Sequence, residues 1–342
     1  MNTKLFILTI LTLSLSSCLK EEKKYPAITV AQGTITQEIG MGENYENQVY
    51  FDLETGKMAS NDHKAWDIGF SSTDKNKIII NGGKTQELGL CNMGLVPFNK
   101  VYTASELNSI TDWRFDHPNG WIDSNAFGPN IFTKVTPQYF EGNENLYILK
   151  LGDKSLGEKQ YIRIKIINRN GINYRIKWAY LNDTDTKDIF IPTNPETNYT
   201  YYCFDCAKGI LNEPLQNNEW DLLFTTYKQY VFEPSFNRWA SYLLRGVISN
   251  EKETQVAKVQ GLADYDNINL TFAKNTTFND DLDNIGYDWK VFSLQANRYT
   301  IVKDNVFIIK NRNGQYFKMK FVDFYNALDQ KGYPKIAYEL LK

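Results

Sequence analysis

Histidine and methionine are scarce. The chain has 342 residues but only two His, His63 and His117, and five Met. Residues 118–318 contain neither type. A metal site built from several imidazoles is thereby excluded. Basic excess is lacking too. Lys and Arg number 38 against 40 Asp and Glu, a net charge of −2, so the chain has no electrostatic footprint for nucleic acid. No GxSxG, HExxH or phosphate-loop pattern occurs, and the chain reads as a binding protein, not an enzyme. Asp280, Asp281 and Asp283 stand in an Asn- and Asp-rich run that reads as a turn. Beyond the N-terminus no apolar run approaches membrane-spanning length. Long 3.6-residue periodicity is also missing. Residues 104–108 and 321–328 hold short helical turns at most.

The N-terminus has a recognisable grammar. Lys4 is followed by a short apolar run at residues 5–15, then Leu15-Ser16-Ser17-Cys18. That run is too short for a spanning helix and reads as an export signal. Small residues before a Cys resemble the lipobox of bacterial lipoproteins, in which the Cys becomes acylated once the signal is removed. Residues 1–17 are therefore expected to be a signal peptide, and residues 18–30 the lipidated Cys18 with a charged tether. Acyl chains add about 0.8 kcal/mol of membrane affinity per buried methylene. Lys20, Glu21 and Glu22 directly follow. They resemble the surface-export signal of some Gram-negative lipoproteins, which implies an outer-membrane protein facing outward.

What the chain does have is aromatic residues and strand patterns. Tyr, Phe and Trp number 22, 20 and 7. Tyr161-Ile162-Arg163-Ile164-Lys165-Ile166 alternates in the manner of a half-buried strand, as do residues 174–178 and 315–321. Asn313-Gly314 marks a hairpin between residues 306–309 and the 315–321 strand. Met319 falls on the apolar face of that strand and reads as core. The class is mainly β, an antiparallel sandwich-like fold.

The chain also repeats itself. Phe51-Asp52-Leu53 with Gly56 returns as Phe204-Asp205-Cys206 with Gly209, and Trp66-Asp67 returns as Trp220-Asp221. Each half then closes on paired strands. Two tandem units follow, at residues 31–195 and 196–342. In a strand Trp and Asp of such a motif point to opposite faces, so the Asp is free to accept from a backbone N–H.

Four blocks of the second half resemble the HmuY-like haem-binding lipoproteins. They are Trp220-Asp221-Leu222-Leu223-Phe224-Thr225-Thr226-Tyr227, then Tyr242-Leu243-Leu244-Arg245-Gly246-Val247-Ile248-Ser249-Asn250, then Trp289, and finally the Gly314 hairpin leading to Phe324-Tyr325-Asn326. The resemblance implies two tandem HmuY-like units and a tethered haemophore that passes haem to an outer-membrane transporter. It implies axial ligands between the Gly-Val-x-x-Asn block and the last hairpin, where this chain offers only Tyr265, Tyr287 and Tyr299. Elsewhere the candidates are His63 in a polar, solvated loop, Met93 in a loop, and His117 in a turn between Trp113 and Trp121. The alternative is a non-haem module on the same scaffold, binding a glycan, peptide or partner protein through exposed aromatics.

Besides Cys18 there are three cysteines. Cys203 and Cys206 have CxxC spacing, but no second pair supports zinc, and residues three apart on a strand face opposite ways. A bond between them needs a bend. Cys91 leaves the mature count odd.

Overall fold

The computed structural model describes residues 33–73, 77–136, 138–252, 254–261 and 265–342. Cys18, Lys20, Glu21 and Glu22 lie outside them. Strands dominate, as expected. The first third holds β1 (Ile35–Glu38), β2 (Asn47–Phe51), β3 (Met58–Asp62), β4 (Ile68–Ser71), β5 (Ile78–Ile80) and β6 (Gly89–Asn92). After the short helix α1 (Ala104–Asn108) come β7 (Phe132–Val135), β8 (Tyr139–Gly142), β9 (Tyr147–Lys150), β10 (Tyr161–Asn170), β11 (Asn173–Tyr180) and β12 (Lys187–Pro192). Next are β13 (Tyr199–Tyr202), β14 (Ile210–Asn212), β15 (Leu222–Glu233), β16 (Arg238–Ser249) and β17 (Gln255–Gln260). After α2 (Leu270–Lys274) the chain ends with β18 (Lys290–Ser293), β19 (Arg298–Ile301), β20 (Asn305–Lys310), β21 (Tyr316–Tyr325) and β22 (Lys331–Leu340).

Two sandwich-like lobes result. In the first, the β14-β13-β4-β5 sheet packs on a seven-stranded sheet built round β9, β10 and β11. Its core joins Ile68, Phe70 and Ile80 to Tyr147, Leu149, Ile164, Tyr174 and Trp178. In the second, the β16-β15-β2-β3 sheet packs on β1-β22-β21-β20-β17. Its core joins Val49, Phe51, Leu222 and Phe224 to Phe307, Phe317, Met319 and Tyr338. Met319 is core, as its strand face requires.

The pairings cross the boundary expected at 195/196. β2 pairs with β15, and β1 with β22, so the opening strands of the first half sit in the second lobe. β13 pairs with β4, so the opening strand of the second half sits in the first lobe. The exchange is held by the repeated motif. Asp67 N–H donates to the Tyr202 carbonyl at 2.9 Å, and Asp221 N–H to the Phe51 carbonyl at 2.9 Å. In return the Asp67 carboxylate accepts from Phe204 N–H at 2.8 Å, and Asp221 from Leu53 N–H at 2.9 Å. By these bonds Phe51 corresponds to Tyr202, two residues before Phe204. The sequence match and the structural match thus differ by one strand period, which keeps the face.

Residues 321–328 are not helical. Phe321 to Tyr325 completes β21, whose register against β22 shifts at Phe321/Asp323 and again at Asp323/Tyr325. Each bulge inserts a residue and breaks the alternation, which leaves a spacing that imitates a helical turn. Cys203 and Cys206 are joined by a disulfide across the turn after β13, with 5.4 Å between Cα atoms. Cys91 is buried and free.

Candidate functional site

The outer faces of β2 and β15 and those of β4 and β13 look across the gap between the lobes. Alternation dictates this: Phe51 and Phe224 enter one core, Ile68 and Phe70 the other, so Tyr50, Leu223 and Thr225 turn the opposite way. Gly69 has no side chain here, and a Cβ would meet the Ile79 side chain at 2.8 Å and the Tyr201 ring at 3.0 Å. Gly83 allows a closer approach still, since its Cβ would lie 1.9 Å from the Thr226 carbonyl oxygen across the gap. Lys228 reaches over to the Leu88 carbonyl at 2.6 Å, and Lys77 pairs with Glu251 at 2.6 Å.

A cavity of about 150 Å³ remains between the lobes. Its walls include Trp66, Trp121, Tyr199, Tyr201, Trp220 and Tyr227. The two motif tryptophans are placed alike. Asn81 Nδ2 donates to the Trp66 carbonyl at 3.0 Å, and Asn250 Nδ2 to the Trp220 carbonyl at 2.9 Å. Trp66 stacks on Tyr201 with centroids 4.4 Å apart, and Trp220 meets Tyr50 edge-on at 5.1 Å.

The cavity holds perturbed acids. Burial pushes Glu213 up to about 8, against the opposing hydrogen bond from Asn198 N–H at 2.8 Å. Glu213 also accepts from Tyr201 OH at 3.1 Å, so both carboxyl oxygens are held within a polar cluster. Burial raises Asp116 to about 6, although its carboxylate accepts from the backbone N–H groups of Ile80 and Ala126. Lys228 is lowered to about 8 by burial.

Of the residues expected to ligate, only His117 lines this cavity. Its Nδ1 accepts from Asn119 N–H at 3.3 Å, so in the neutral ring Nε2 carries the proton. His63 is not solvated. It is 5% exposed, with Nδ1 donating to the Glu46 carbonyl at 3.1 Å, and burial lowers its pKa. Met93 packs in a separate cluster with Tyr102 and Leu146. Tyr265 packs with Ile268 and Ile308, and its OH donates to the Ala337 carbonyl at 3.5 Å. Burial raises the pKa of Tyr265 and of Tyr287, which opposes the phenolate an iron ligand needs. Tyr299 lies against Phe292 and Phe324. These candidates do not converge. Among the described residues no group of three or more His, Cys, Asp or Glu is placed to hold a metal ion.

Sequence reasoning missed Glu213, Tyr199 and Asn81. Asn81 had a legible counterpart, because Asn250 closes a quoted block. Glu213 had none: a single acid between Asn212 and Pro214 reads as surface.

A second feature is exposed. Beyond Lys228 the β15–β16 hairpin carries Tyr230, Phe232, Phe236, Trp239 and Tyr242, all open to solvent, with Phe236 71% and Trp239 67% exposed. Phe232 and Trp239 pair across the strands at 5.4 Å. The β18–β19 hairpin exposes Val291, Phe292 and Leu294. By the register Tyr230, Phe232 and Trp239 share one face of the β15–β16 hairpin and Tyr242 the other, and an exposed aromatic cluster such as the first marks a contact site.

A family model described as HmuY protein matches residues 44–338. Among solved structures, apo PinO from Porphyromonas gingivitis is similar at 11% identity and a TM-score of 0.27, covering 90% of this chain and 97% of that one. The apo HmuY analog TFO of Tannerella forsythia is similar at 12% identity and a TM-score of 0.24, covering 92% and 100%. A candidate HmuY-like heme binding protein from Bacteroides vulgatus follows at 10% identity and a TM-score of 0.22, covering 90% and 91%. No curated protein shows significant similarity to the chain.

Proposed function

The chain belongs to the HmuY family, and from that premise we propose a lipid-anchored surface protein that captures haem and passes it to an outer-membrane transporter. The family match over residues 44–338 carries this reading. The lipobox-like Cys18 and the Lys20-Glu21-Glu22 run support the anchor and the outward address.

The residues do not fit a haem gripped on both faces by His or Met. His63 is 5% exposed and does not line the cavity, His117 accepts at Nδ1 and so keeps its proton on Nε2, and Met93 lies in another cluster. A porphyrin also exceeds a 150 Å³ cavity. What the chain offers a flat apolar macrocycle is the β15–β16 aromatic surface, where stacking and desolvation supply the affinity. Haemin added to residues 19–342 is expected to give a saturable, one-to-one Soret shift. The double variant Phe232→Ala with Trp239→Ala should weaken it at least tenfold. A titration that superimposes on free haemin sinks the haem reading. The scattered His and Met favour a second reading, a glycan, peptide or partner protein bound by the same aromatic surface, and that outcome would direct the search there.

A further inference from the structure

We propose that the cavity between the lobes is a separate binding site for a small neutral aromatic molecule bearing one polar hydrogen, of the phenol or indole class. Size sets the first limit. A void of about 150 Å³ accepts a single aromatic ring when its walls are apolar. The walls here are the Trp and Tyr rings already described, together with Ile79, Leu223, Ile248 and Leu282.

Charge sets the second limit. Lys77 is taken by Glu251, and Lys228 by the Leu88 carbonyl. Asp116 is held by two backbone N–H groups, and Glu213 by Asn198 N–H and Tyr201 OH. Each of these groups already has a hydrogen-bond or ion-pair partner, so an ionic guest would have to displace one to offset its own desolvation.

Unpartnered polar atoms set the third. The Nε1 atoms of Trp66 and Trp220, Thr226 Oγ1, Tyr227 OH, Asn198 Oδ1 and Glu251 Oε1 are buried without a hydrogen-bond partner, and every one belongs to a lining residue. Buried polar groups are seldom left so, and each costs free energy until it is matched. Each lobe supplies both kinds: the Trp66 donor and the Asn198 acceptor on the first, and the Trp220 donor, the Glu251 acceptor and the Thr226 and Tyr227 hydroxyls on the second. A ring with one hydroxyl or ring N–H can stack on a tryptophan and offer its hydrogen to Asn198 or Glu251. A small shift of the lobes would then seat it against both.

The test is calorimetry of residues 19–342 with indole and with phenol, a truncation that leaves every described element intact. Saturable one-to-one binding of at least one probe is expected. It should be at least tenfold weaker in Thr226→Phe and in Leu223→Phe, which fill the cavity, and unchanged in Trp239→Ala, which separates this site from the haem reading. Without any substitution, the bound probe should shift the indole N–H proton resonances of Trp66 and Trp220. No saturable binding of either probe, undiminished binding in a folded cavity-filling variant, or unmoved Trp66 and Trp220 resonances would overturn the proposal.

Discussion

The two copies of the Trp-Asp motif make the same backbone bonds but neutralise their aspartates differently. Asp67, in the first lobe, is paired with Lys84 at 2.5 Å, and that lysine is partly open to solvent. Asp221, in the second, lies beside Asp52, and one guanidinium serves both. Arg312 Nη2 is 2.8 Å from Asp52, and Nη1 is 3.5 Å from Asp221. Burial raises Asp221 to about 6, with the Asp52 charge adding to the effect. The invariant part of the motif is therefore geometric: a carboxylate oxygen aimed at the N–H of an incoming strand. The counterion is local. A repeat copies the first because it is written in consecutive residues, and not the second, because Lys84 and Arg312 come from unrelated places in the chain.

The largest expected effect breaks the comparison at the exchange. Residues 64–214 contain β4 to β14 entire and are expected to fold alone. Residues 196–342 are not, because they lack Ile39, Met41, Tyr45, Val49, Phe51 and Leu53 of the second core. Burial of six such side chains is worth on the order of 10 kcal/mol, as much as the net stability of a whole domain. Circular dichroism and urea melts of both fragments decide it. A cooperative melt of 196–342 would refute the exchange.

The next effect sharpens the counterion difference. Arg312→Met strands two buried carboxylates together and should cost about 3 kcal/mol, with part of the loss recovered on acidification. Lys84→Met leaves one acid and should cost less, about 1–2 kcal/mol. Equal losses in urea denaturation would mean that the two copies are equivalent after all.

The smallest effect concerns Glu213 between the lobes. Its folded pKa of about 8 lies above its unfolded value of 4.5. Its contribution is present in full below pH 4.5 and is lost as pH rises towards 8, with a slope of about 1.4 kcal/mol per pH unit. Asp116 and Asp221 act in the same sense only up to about pH 6. Burial lowers Lys290 to about 7, and its rising contribution above that pH is common to both proteins. Glu213→Gln should therefore gain about 2 kcal/mol on the unsubstituted chain between pH 6 and 8. Parallel stability curves over that range would contradict the assignment.

Much of the fold was legible. β10, β11 and β21 alternate because one face meets a core, and Asn313-Gly314 turns where it should. Even there the expected outer face is covered, since Arg163 lies over the Phe98 ring at 4.7 Å and Lys318 over Tyr265 at 4.7 Å. Long cationic side chains lay their stems on aromatic surface, and the sequence records them as charge. The exchange was not legible. A repeat says which segments are alike, and nothing in Asn47–Phe51 names β15, 171 residues on, as its partner. The site was least legible. His63 sits among Asn61, Asp62 and Lys64, which read as solvent, yet the Glu46 carbonyl holds it inside. Glu213 is defined wholly by what folds over it.

The pairing of β1 with β22 places the first described strand beside the last. A chain made from its N-terminus releases Ile35–Glu38 some three hundred residues before its neighbour exists. The first lobe can close once residue 214 has emerged, and β2 and β3 pair with each other and then with β15, whereas β1 has no neighbour until β22 is made. Synthesis and assembly thus run in opposite order for this segment, and the earliest residues are the last to be protected. The open edge to be kept from other chains in that interval is Ile35–Glu38, and it closes only when the final strand arrives.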